Sequence, residues 1–171
     1  MREYYKEIFF NNDPFGKIFN DHIKKKVLLF PTEGYYLSKK QYKKVMKTLE
    51  VFSEQKIYIS EIEGGDASFE KKGDYIFKHY IIESTTLYED YLKLPMFLEN
   101  VMYSPSKAWG IMISHENHAV LGGSDELIKK FLEKYNCSED KKEFLEYWKC
   151  MEKIYKSDLS WQKDFLLNLN T

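Results

Sequence analysis

The sequence predicts an α+β fold, a mainly antiparallel sheet packed by helices, and three observations carry that prediction. Short apolar segments joined by brief turn-rich connections read as strands of an antiparallel sheet. Long stretches with apolar residues three and four apart read as amphipathic helices. The last third of the chain carries only the helical period. The strands are expected near 27–31, 56–62, 75–83, 98–103, 108–114 and 118–122. No repeat, low-complexity tract or Pro/Gly/Ser linker interrupts the 171 residues, which read as a single domain, 1–171.

In chain order, Tyr4, Tyr5, Ile8 and Phe9 suit a short amphipathic helix, stopped by Asn11-Asn12-Asp13-Pro14 and Gly16. Lys24-Lys25-Lys26 precedes Val27-Leu28-Leu29-Phe30, a short buried strand ended by Pro31 and Gly34. Ser38 followed by Gln41 is a capping-box pattern. Behind it Tyr42, Val45, Met46, Leu49 and Phe52 recur at helical spacing, with Lys39, Lys40, Lys43, Lys44 and Lys47 on the opposite, solvated face. Ile57–Ile62 reads as a strand broken by Gly64-Gly65-Asp66, and the aromatic run Tyr75–Ile82 as a longer one. Leu87, Tyr91 and Leu94 predict a short helix before Pro95.

The next unit is a hairpin feeding a helix. Ala108–Ile113 and His118–Leu121 flank the turn Ser114-His115-Glu116-Asn117. Gly122-Gly123 reads as a structural turn, after which Ser124 caps a helix buried through Leu127, Ile128, Phe131, Leu132 and Tyr135. Asp125 and Glu126 in its first turn would repel an anion there. Ser138 is expected to cap a helix with Phe144, Leu145, Trp148, Met151, Ile154 and Tyr155 on one side. A last short helix presents Trp161, Phe165, Leu166 and Leu169.

Composition narrows the function. The chain is 17% aromatic with a formal net charge of −1, which excludes wholesale disorder. There is no apolar run of about 18 residues and no apolar leader at the N-terminus, so no membrane partner is expected and the expectation is a cytoplasmic protein. Cys137 and Cys150 are too few for a disulfide scaffold or a four-ligand zinc site, which also fits a reducing compartment. Arg2 is the sole arginine. Arginine is the residue best suited to bidentate contacts with phosphate and guanine, so nucleic acid is not the expected partner. Charge is divided along the chain: residues 1–49 hold 11 basic and 5 acidic side chains, residues 50–99 hold 5 and 11. Such blocks steer an oppositely charged partner when the fold segregates them.

No pattern of residues demands catalysis. Glycine-rich phosphate loops, a Gly-x-Ser-x-Gly elbow and a catalytic cysteine context are all missing from the sequence. Glu61 and Glu63 share one face of a strand, but an acidic loop looks solvated rather than tuned for acid–base work. That loop reads better as a docking surface, with Glu61, Glu63, Asp66, Glu70 and Asp74 as partner-binding candidates. Tyr35 and Tyr36 beside it, and Tyr88, Tyr91 and Tyr103 near element boundaries, are candidate exposed anchors, since tyrosine is enriched in interface hot spots. The alternative is an enzyme or metal-binding protein centred on His115, Glu116 and His118, which flank one turn, although no third ligand follows at a fixed offset. No cofactor is implied.

The stretch from Ser104 to Glu116, continuing from His118 to Ser124, resembles a segment of small bacterial proteins similar to the immunity proteins that accompany secreted toxins. Looser similarity covers residues 30–36 and the Glu-Phe-Leu-Glu-Tyr-Trp of 143–148. The resemblance implies a non-enzymatic protein that binds and neutralises a toxin. A basic toxin domain would suit the acidic candidates above.

Overall fold

A computed structural model describes residues 1–62 and 76–169. Six strands form one sheet: β1 (Lys25–Leu29), β2 (Lys56–Glu61), β3 (His79–Glu83), β4 (Asn100–Tyr103), β5 (Trp109–Ile113) and β6 (Ala119–Gly123). Their order is β1-β6-β5-β4-β2-β3, and every neighbouring pair is antiparallel. Six helices accompany them: α1 (Arg2–Ile8), α2 (Lys39–Val51), α3 (Tyr88–Tyr91), α4 (Asp125–Leu132), α5 (Ser138–Tyr155) and α6 (Gln162–Leu169). The chain is therefore α+β, with helices packed on the sheet and three more helices after its last strand.

Helices cover both faces. Strand side chains alternate between the faces, so Val27, Leu29, Ile57, Ile59, Ile111 and Leu121 join one core with α2, α3 and α4. Leu28, Val101, Tyr103, Met112 and Val120 join a second core with α1, α5 and α6. This explains why β4, β5 and β6 are buried at every residue. The Ser38 cap of α2 is a complete capping box, with Ser38 Oγ accepting from Gln41 N–H and Gln41 Oε1 accepting from Ser38 N–H. Ser124 caps α4 by accepting from Leu127 N–H at 3.2 Å.

Three local expectations are corrected. Gly122-Gly123 is not a turn but lies inside β6, where Gly122 stands opposite Gly110 of β5. A Cβ on Gly122 would come within 2.8 Å of Phe19 and 2.7 Å of Ile23, and one on Gly110 within 2.6 Å of Phe9. The facing glycines make a bare patch of sheet on which the N-terminal segment lies. That segment is itself held by a Phe9↔Phe19 bridge and by Asn20 Nδ2, which donates to the Lys6 and Glu7 carbonyls at the end of α1. Ser138 is the first residue of α5 rather than its cap. Cys137 holds the cap position, and Ser138 N–H and Oγ both go to Asn136 Oδ1. The strand expected over 75–83 begins at His79 among the described residues, and that over 27–31 ends at Leu29, where the Phe30–Pro31 peptide is cis.

The glycine patch sets a measurable cost. Gly110→Ala and Gly122→Ala are each expected to destabilise the protein by about 1–3 kcal/mol, the range for overpacking a filled core. Urea unfolding checks this, and an unchanged midpoint in both variants would contradict the packing.

Candidate functional site

The acidic candidates do not share one fate. Glu61 ends β2 fully buried, with Oε2 accepting from Lys78 N–H and Oε1 from Phe97 N–H, both at 2.9 Å. It is a clamp joining two distant segments to the sheet and not a docking acid, because its lone pairs are directed at backbone donors inside the protein. Glu63, Asp66, Glu70 and Asp74 lie outside the described residues.

The tyrosines turn inward. Tyr36 hydroxyl donates to the Leu94 carbonyl and accepts from Met96 N–H at 3.4 Å, and its ring meets Tyr91 edge-on. Tyr35 is half-buried, its carbonyl accepting from Asn100 Nδ2 at 2.8 Å. Tyr88, Tyr91 and Tyr103 are buried rather than exposed. Tyr88 hydroxyl bridges Glu33 and the Leu37 carbonyl, and Tyr91 hydroxyl accepts from Leu37 N–H. Burial pushes the Tyr103 phenol up to about 12, although its hydrogen bond to Ser60 opposes the shift. Tyr88 and Tyr91 together satisfy the carbonyl and N–H of Leu37, in the connection between β1 and α2, which would otherwise lie unpaired in a core.

The His115 turn is a three-residue hairpin loop. Ser114 N–H donates to the His118 carbonyl at 2.9 Å, and Asn117 takes the left-handed conformation (φ 59) that closes it. Exposed His115 sits between two carboxylates, with Nδ1 3.0 Å from Glu99 Oε1 and Nε2 3.3 Å from Glu116 Oε1. Glu99 Oε1 also accepts from Ser114 Oγ at 3.0 Å. This is not the geometry of a nucleophile and its base. The buried Ser114 hydroxyl is bonded to the carboxylate and not to the imidazole.

His118 does not complete a metal site with His115 and Glu116. Its side chain is buried among Phe15, Phe144 and Phe165, on the face covered by α5 and α6. Its Nε2 carries the hydrogen, since it lies 3.1 Å from the Pro14 carbonyl, which can only accept. No group of three His, Cys, Asp or Glu side chains among the described residues could hold a metal ion. Among them, too, no helix is long and apolar enough to cross a membrane.

The surface feature the sequence did not announce is a groove of about 590 Å³ along the outer side of β1, between α4 and α5. Its walls include Ile128 and Leu132 from α4, Leu145 from α5 and Leu169 from α6, and Lys25, Lys26, Lys141 and Lys142 stand around it. Leu132 is 42% exposed there, although helical spacing assigned it to the core. β1 is an edge of the sheet, and its outward backbone groups follow from the register. The Ser114–His118 bond makes Met112↔Val120 and Gly110↔Gly122 the pairs that exchange bonds across the hairpin. Ala119, Leu121 and Gly123 therefore direct theirs to Leu29, Val27 and Lys25 of β1. Lys26 and Leu28, in between, turn N–H and C=O away from β6. Phe30 continues the alternation, and its outward N–H is taken by buried Asp140 at 2.9 Å. Asp140 thus closes the outward side of β1 at Phe30, and Lys26 and Leu28 are among the residues lining the groove. Two signals of it stood in the sequence: the Lys24-Lys25-Lys26 run directly before a strand, and Lys141-Lys142 on α5.

No protein-family model matches the chain, and neither does any curated protein or solved structure.

His118 makes stability pH-dependent. Burial, the largest cause, lowers its pKa from 6.5 to about 4. Above pH 6.5 the ring is neutral in both states and contributes nothing to the pH dependence. As pH falls, the unfolded chain gains a proton that the folded chain refuses, so stability is lost down to about pH 4, by roughly 3 kcal/mol. His118→Gln keeps a donor for Pro14 and cannot titrate, so its stability should fall less steeply over that window by this amount. Parallel curves for the two proteins in denaturant titrations at each pH would contradict the assignment.

Proposed function

We propose that this protein works by binding another protein, in the form the resemblance over residues 104–124 implies: a bacterial, cytoplasmic immunity protein that neutralises a toxin by direct contact. The observation that carries the protein-binding reading is the β1 groove. It combines apolar walls, a partly exposed Leu132 and a recessed strand edge within one concave surface. Open strand edges and apolar patches rimmed by polar residues are the two features most often used to dock a polypeptide.

The charge distribution supports the same reading and changes the partner's expected sign at this surface. The sequence pointed to a basic partner on the acidic 61–74 segment. The groove is rimmed by lysine, and two of its four lysines, Lys25 and Lys26, come from the basic first 49 residues. Glu61 no longer belongs to the docking set, and the segment that enters the groove is expected to be acidic.

Co-expression with the product of the adjacent gene tests the function. A stable complex on size-exclusion chromatography, with growth restored against that product's toxicity, is the expected result. Neither complex nor rescue would overturn the reading.

A further inference from the structure

We propose that the segment from Asn11 to Lys17 is an acid-released strap: it closes over His118 while that imidazole is neutral and lifts when the ring takes a proton, with the sheet still folded. The device is separate from the β1 groove and does not rest on the docking reading.

The strap is a closed loop that carries its own bonds. Its mouth is tied by Phe10 N–H, which donates to the Ile18 carbonyl at 2.8 Å, next to the Phe9↔Phe19 bridge. Inside it, Asn11 Oδ1 accepts from Asp13 N–H, Asp13 Oδ1 from Phe15 N–H, and the Asp13 carbonyl from Gly16 N–H. Turns closed by Asn and Asp side chains hold their shape locally, so the loop can move about its mouth as a unit. Two residues at its tip seat it on the body. The Pro14 carbonyl accepts from His118 Nε2 at 3.1 Å. The Phe15 ring lies 4.7 Å from the His118 ring and 4.3 Å from Trp161, centroid to centroid, and meets Trp148 and Phe165 edge-on.

His118 is 1% exposed beneath this tip. The other side of its cover is firmer. There α5 and α6 meet the ring with Phe144 and Phe165, at 5.5 and 5.7 Å, and both of those side chains are buried in the second core. Phe15 is partly buried and packs on that core from outside. A segment seated by a few contacts, with its bonds kept to itself, opens at lower free energy than the core it lies on.

Charge decides when it opens. Burial, the largest influence, lowers the His118 pKa from 6.5 to about 4. The Pro14 and Glu116 carbonyls and the Asp13 carboxylate favour the cation and are outweighed, while His115, across the hairpin loop, adds to the lowering. Hydration of the ring and position of the strap are therefore coupled, and the coupling is reciprocal. Closing the strap expels the proton, and the proton favours the open strap. Between pH 6.5 and pH 4 that preference grows by up to about 300-fold, the ratio set by the two pKa values.

The test is an NMR titration of the full chain from pH 7 to pH 3.5. It follows the His118 imidazole, the amides of Phe15 and Gly16, and the indole N–H of Trp161, which donates to the Asp158 carbonyl and lies against Phe15. All should move with one midpoint near pH 4, while the amides of α4 and the Trp109 indole keep their folded positions. Phe15→Ala loosens the tip and leaves the imidazole in place, so the midpoint should rise by about one pH unit or more, a tenfold tighter proton. His118→Gln keeps a donor for Pro14 and sets the baseline, since Asp13 is itself an acid within the strap; the Trp161 step should vanish in it. Phe15→Ala carries the test if the His118 variant fails to fold. His118 titrating with the strap signals unmoved, strap and α4 losing their folded signals together, or an unchanged midpoint in Phe15→Ala would each overturn the proposal. So would a Trp161 step that persists in folded His118→Gln.

Discussion

One buried carboxylate ties together the parts of this protein that matter most for its surface. Asp140, in the first turn of α5, accepts from Phe30 N–H at the end of β1 and from the Tyr135 hydroxyl just after α4. Both bonds fall on Oδ2, at 2.9 and 2.6 Å. A carboxylate withdrawn from water needs such donors, and bonds to a charged acceptor are roughly twice as strong as neutral ones. The consequence is geometric. Strand, incoming helix and outgoing helix are held at one point, so α4 and α5 stand on opposite sides of the sheet edge and leave a trough between them. The same bond terminates the free edge of β1, a common means of limiting unwanted pairing.

The sheet is prepared for this edge by its centre. Gly110 and Gly122 face each other across β5 and β6, and the side chains they lack are replaced by Phe9, Phe19 and Ile23 from the N-terminal segment. The first 24 residues thus serve as part of the second core, and they lead directly into β1. Because both faces of the central strands are covered, an added strand can extend the sheet only at an end. One end, β3, carries Ile81 outward at 59% exposure, and the other is β1 with its flanking helices. Among the described residues, the second has a groove with apolar walls beside it.

Much of the fold was legible in the sequence where the signal is local. The Ser38/Gln41 box and the helical period behind it define α2, and the two short apolar runs around Ser114–Asn117 define the β5–β6 hairpin. Legibility stopped where the deciding partner lies far along the chain. Gly122 looked like a turn because nothing nearby shows that Phe19 fills its place, about a hundred residues earlier. Glu61 looked solvated because its partners, the amides of Lys78 and Phe97, belong to other segments. Tyr88, Tyr91 and Tyr103 looked available at boundaries, although their hydroxyls satisfy backbone and side-chain groups inside the protein. The turn histidines illustrate the same limit: three positions apart, His115 is exposed between carboxylates and His118 is buried among aromatic rings. Strand order, which makes β1 an edge and so creates the groove, has no local signature at all.

The proposed docking at β1 requires an outward N–H that is unbonded at Leu28 and taken by Asp140 at Phe30. Amide hydrogen exchange, residue by residue, measures this in the free protein. Leu28 should exchange far faster than Val27 and Leu29, which bond β6, and faster than Phe30, which bonds Asp140. A Leu28 amide already as protected as Val27 and Leu29 in the free protein would contradict the open position that the proposed function requires.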